Sequence, residues 1–67
     1  MDTLLQLRQN IRKYRKDTGL TQIKAAQIAK MSQLYWGQIE RGKRNPSVKT
    51  LLIMSEVIGM PMDKAFN

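Results

Sequence analysis

The chain contains no cysteine and no histidine. Without cysteine there is no disulfide framework and no thiolate metal site. Without histidine the commonest general base and the commonest metal ligand are missing. Carboxylates are few: Asp2, Asp17, Glu40, Glu56 and Asp63 are the whole set and are scattered along 67 residues. No two carboxylates are paired, so no catalytic residue, no metal site and no cofactor is expected, and enzyme function is not expected. Apolar runs are short and none approaches the ~20 residues of a membrane span. No apolar stretch follows a basic one at the N-terminus, so a secretory signal is not expected. The expected location is the cytoplasm of a bacterial or phage-type host cell, with no membrane partner.

What the chain has in excess is positive charge: 12 Lys and Arg against 5 Asp and Glu, a net +7. The excess is uneven. Residues 1–20 carry five cations against two carboxylates, residues 21–47 five against one, and residues 48–67 two against two. A basic surface over two thirds of so small a chain points to a polyanion, nucleic acid or anionic lipid. At this length a single domain with a thin core is expected.

Leu4, Leu7, Ile11 and Tyr14 recur at helical steps, with Arg8, Arg12, Lys13 and Lys16 mostly off that stripe. Gly19 is a natural helix stop, and Thr21, Ser32 and Ser47 each precede a helical pattern as N-caps. No segment alternates with period two. The chain reads as all-α, with five helices at about 3–18, 22–29, 33–41, 48–58 and 62–66. Met62 and Phe66 are expected to close the bottom of the core.

The second and third helices are short and separated by only Lys30 to Ser32, the spacing of a helix-turn-helix. On a helical wheel Trp36, Ile39 and Glu40 share one side of the third helix. Gln33, Leu34, Gly37 and Gln38 share the other, with Tyr35 at the edge. A glutamine amide donates and accepts at once and matches the N6/N7 edge of adenine, while Leu34 suits a thymine methyl. Lys24, Arg41, Lys43 and Arg44 would sit over phosphates, and the N–H groups at Thr21 and Gln22 would meet another.

These residues carry a resemblance. The string GLTQ, x3, A, x5, S, x6, IERGKRNPS from Gly19 to Ser47, with LL, x5, IG from Leu51 to Gly59, resembles the Cro/lambda-type phage repressor (XRE-like) helix-turn-helix family. The resemblance runs from about Leu7 to Phe66. It implies a compact five-helix lambda-repressor-like domain that binds double-stranded DNA as a homodimer on a two-fold symmetric operator and regulates transcription. By that likeness Gln22 clamps a phosphate, and Ser32, Gln33, Leu34, Tyr35 and Gln38 face the bases. Arg41, Lys43 and Arg44 hold phosphates, and Arg15 pairs with Glu40 as a structural ion pair. The chain departs from the pattern at Lys30, where the family's turn usually has glycine. Ala25 and Ala29 stand for larger residues, Trp36 for a smaller one, and Ile23 and Ile28 for polar ones. A size exchange between the indole and the alanines is expected.

The neutral C-terminal third suggests the dimer surface: Met60, Pro61, Met62 and Phe66, with Ile53 and Val57. Within this length no ligand-sensing domain is expected, so regulation is expected through concentration, dimerisation or a separate regulatory protein. The alternative is a protein–protein adaptor, such as an antitoxin or anti-repressor partner, using Ile23, Ile28 and Leu34 as its surface.

Overall fold

The computed structural model describes residues 3–67. Four α-helices and one 3-10 turn follow each other without a strand among those residues: α1 (Thr3–Asp17), α2 (Gln22–Ala29), α3 (Gln33–Glu40), α4 (Val48–Ile58) and the turn Met62–Lys64. None of these helices is long and apolar enough to cross a membrane.

Each internal helix starts on a side-chain cap. Thr21 Oγ1 accepts from Lys24 N–H at 3.1 Å, Ser32 Oγ from Tyr35 N–H at 3.0 Å, and Ser47 Oγ from Thr50 N–H at 3.1 Å. Each satisfies an N–H that the first turn leaves without an intrahelical acceptor, worth about 1 kcal/mol. The caps fix where α2, α3 and α4 begin, and so fix the angle at which α3 leaves the turn.

The core is built around one large ring. Trp36 is 0 % exposed and shares the interior with Leu7, Ile11, Ala25, Ala26, Ala29, Ile39, Leu51, Met54 and Ile58. Three alanines on α2 leave the volume that the indole fills, in a core where volume must be matched closely. α2 packs on α3 and α4, and α1 crosses both α3 and α4.

The C-terminus differs from the expected fifth helix. Only Met62–Lys64 is helical, as a 3-10 turn. Its shape is set from a distance: buried Asn10 on α1 aims Nδ2 at the carbonyls of Lys64 (3.0 Å), Ala65 (2.9 Å) and Asn67 (2.8 Å). Those carbonyls are drawn to one amide. Met60 and Ala65 are buried there, while Met62 and Phe66 are exposed. The residues that close the bottom of the core are therefore Met60 and Ala65, not Met62 and Phe66. Met60 is also removed from the expected dimer surface. At 3 % exposed it has little side chain to offer a partner, because its N–H bonds back to Ser55 O at 2.9 Å and turns the chain inward after Gly59.

Candidate nucleic-acid interface

The turn between α2 and α3 holds a left-handed residue that is not glycine. Lys30 has φ 57 and ψ 41. Its N–H bonds to Gln27 O at 3.1 Å, and Met31 N–H reaches Ala26 O at 2.9 Å, closing the end of α2. The turn keeps the left-handed step despite the side chain, at a local cost of about 1–2 kcal/mol.

α3 is held from behind by a carboxylate. Glu40 accepts four hydrogen bonds from three helices. Arg15 on α1 supplies two, Nε at 2.6 Å and Nη2 at 3.0 Å. Gln22 Nε2 on α2 donates at 3.1 Å, and Trp36 Nε1, one turn back on α3, donates at 2.5 Å. Arg15 Nη1 also reaches Leu20 O at 2.8 Å. The Arg15 and Glu40 side chains are 9 % and 2 % exposed. Burial pushes the Glu40 carboxyl up, but the hydrogen bonds from Arg15, Trp36 and Gln22, with the Arg15 charge, outweigh it and hold the pKa below the ordinary glutamate value.

With Trp36 and Ile39 buried, the opposite side of α3 faces outward except at Gly37, which the helical wheel places there but which is buried. Gln33 and Leu34 are exposed, Leu34 at 66 %, and Tyr35 and Gln38 are half-buried. Ser32 is exposed, and because its oxygen is used as the cap acceptor its own O–H remains free to donate. The Arg44 guanidinium carbon lies 5.7 Å from the centre of the Tyr35 ring, so that ring carries a cation at the edge of the amide face. Lys24, Arg41, Lys43 and Arg44 are all exposed.

Gly37 joins two of these groups. A Cβ there would lie 2.9 Å from Arg41 Nη1 and 3.3 Å from Gln22 Oε1. Arg41, just beyond α3, and Gln22, at the start of α2, therefore converge over the bare backbone of Gly37. One Gln22 N–H is used by Glu40 and the other remains available.

Two features of this region escaped the sequence reading. Gln22 and Trp36 join the Arg15–Glu40 pair, and only the four-residue spacing of Trp36 and Glu40 on one helix signals it. Arg8 of α1 also lies against Gly42 in the α3–α4 loop, a contact across 34 positions that no local pattern encodes.

Two short helices joined by a tight turn, the second with a buried indole behind and exposed amides in front, define the helix-turn-helix class of protein. Residues 11–64 match the family model described as Helix-turn-helix, so the chain belongs to that family. It is 33% identical over 64 residues to the control protein C.SmaI of Serratia marcescens, across 96% of this chain and 76% of that one. It is 37% identical over 51 residues to an uncharacterized HTH-type transcriptional regulator, y4dJ, of Sinorhizobium fredii, across 76% and 66% of the two chains. It is 38% identical over 52 residues to the immunity repressor protein of Bacillus phage phi105, spanning 78% of this chain but only 36% of that one. No solved structure gives a significant match.

Proposed function

We propose that the chain is a sequence-specific, DNA-binding transcriptional regulator that acts as a dimer on a two-fold symmetric operator, with α3 in the major groove. The observation that carries this reading is the division of α3: Trp36 and Ile39 anchored in the core, Gln33 and Leu34 outside, and Gln38 at the margin. The relatives' names, a control protein, a transcriptional regulator and a repressor, support the same class.

The division of labour follows from chemistry. The basic surface draws the chain to the duplex and releases counterions, a sequence-independent gain. Gln22, Lys24, Arg41, Lys43 and Arg44 bind phosphates and set the depth and register of α3. Ser32, Gln33, Leu34, Tyr35 and Gln38 then face base edges, where a mismatched amide is left unpaired and discrimination arises. No catalytic step is proposed.

One copy of α3 covers one half-site, and two copies about 34 Å apart would read a palindrome. Pro61, Met62 and Phe66, with Ile53 and Leu52, offer exposed apolar surface in the electroneutral last third, where two +7 chains repel least. The adaptor reading rests on Ile23 and Ile28, each 51 % exposed, together with Leu34 at 66 %. Five residues apart on α2, Ile23 and Ile28 point about 140° from each other, so the three residues do not form one continuous patch through α2. DNA reading is therefore preferred. Selection of bound duplexes from a random pool tests it: a palindromic motif is expected, and enrichment of no motif would overturn it.

A further inference from the structure

We propose that Arg8 on α1 is a further phosphate-binding residue, presented to DNA through the α3–α4 loop by the missing side chain of Gly42. The inference rests on the DNA-binding reading and extends it to a helix outside the helix-turn-helix.

The geometry is specific. A Cβ on Gly42 would lie 2.5 Å from Arg8 Nη1, 2.6 Å from Cζ and 2.8 Å from Nε. The flat guanidinium thus occupies the space that any other residue would fill at 42. Gly42 also has φ 78, which an L side chain rarely adopts, so a side chain there would be strained and would displace the Arg8 guanidinium. Arg8 is half-buried, yet it makes no hydrogen bond and no ion pair among the described residues, where the one salt bridge is Arg15–Glu40. None of its nitrogens is both buried and unsatisfied. Its donors are therefore open to solvent beside a loop whose neighbours, Arg41 and Lys43, are exposed cations, with Arg44 next in line.

Arg8 adds a positive charge to a loop segment that already carries Arg41, Lys43 and Arg44, and like charges gathered in one region are unfavourable in the free protein. No carboxylate among the described residues forms an ion pair with Arg8. A phosphate at the loop would satisfy the fork of donors and relieve the repulsion together. Arg8 would then add a contact from α1 to those of the loop, widening the grip on the backbone.

The test compares Arg8→Gln with Lys13→Gln, an exposed cation on another side of α1. Binding to a short random-sequence duplex is measured by anisotropy across about 50 to 200 mM potassium chloride, and thermal unfolding is measured in parallel. Arg8→Gln is expected to weaken binding about threefold to tenfold and to reduce the slope of log K against log salt by about one unit. Its thermal stability at low salt is expected to be unchanged or higher, whereas a purely structural arginine would lower it. Lys13→Gln is expected to change the slope by far less. An unchanged slope in Arg8→Gln, with the parent chain binding normally, would overturn this inference alone. Failure of the parent to bind any duplex would overturn the DNA reading and this inference with it.

Discussion

Replacing Glu40 with glutamine tests the device that holds α3 in place. The carboxylate ties α1, α2 and α3 together through Arg15, Gln22 and Trp36. Glutamine keeps the volume and one acceptor oxygen but removes the charge and one oxygen. Arg15 would keep only Leu20 O as a certain partner while remaining buried. Breaking a buried pair by deleting one charge costs about 3–5 kcal/mol, because the other charge stays desolvated. The retained amide oxygen recovers part of this, so about 2–4 kcal/mol is expected for Glu40→Gln and more for Glu40→Ala. A domain of this size has only about 3–10 kcal/mol in total. Trp36, the sole tryptophan, is buried and bonded to Glu40, so its fluorescence reports unfolding directly. With a urea slope of about 1 kcal/mol per molar, the midpoint should fall by about 2 M or more. Arg15→Met should be similarly costly, and the double variant should cost less than the sum of the two singles by about 1–3 kcal/mol. A loss below about 1 kcal/mol for Glu40→Gln, or strict additivity in the double variant, would refute the claim that this pair orders the three helices.

Three further outcomes follow from the same structure. The folded Glu40 pKa lies below its unfolded value, so its contribution is whole above about pH 4.3 and is lost as pH falls through the folded value; the stability gap between parent and Glu40→Gln should narrow in that acid range and stay constant from about pH 5 to 8. Lys30→Gly should raise stability by about 0.5–1 kcal/mol, since relief of the left-handed strain exceeds the added freedom of the unfolded chain; calorimetry showing no rise would contradict the strain. Lys43→Ala should weaken cognate and random duplexes alike and lower the salt slope by about one unit, and an unchanged slope would remove Lys43 from the phosphate set.

The parts of the fold that depend on neighbours in sequence were legible. Thr21, Ser32 and Ser47 cap because their hydroxyls reach an N–H three residues on, and the stripe with Trp36 and Ile39 inward follows from helical period. The parts set across the chain were not. Asn10 reads as one more polar residue of α1, yet it gathers three C-terminal carbonyls and leaves a 3-10 turn where a fifth helix was expected. Met60 reads as part of an apolar surface cluster, but the backbone bond to Ser55 turns it into the core. Arg8 reads as a solvated cation, because nothing local reveals that Gly42 makes room for it.

In the proposed complex the outer side of α3 reads bases while the cations around it do not. The most direct measurement is the affinity of Gln33→Ala for the best duplex from a random-pool selection and for a scrambled duplex of equal length, at one salt concentration. A loss of about 1–3 kcal/mol is expected on the selected duplex and almost none on the scrambled one. Equal losses on both, or no loss on either, would contradict it.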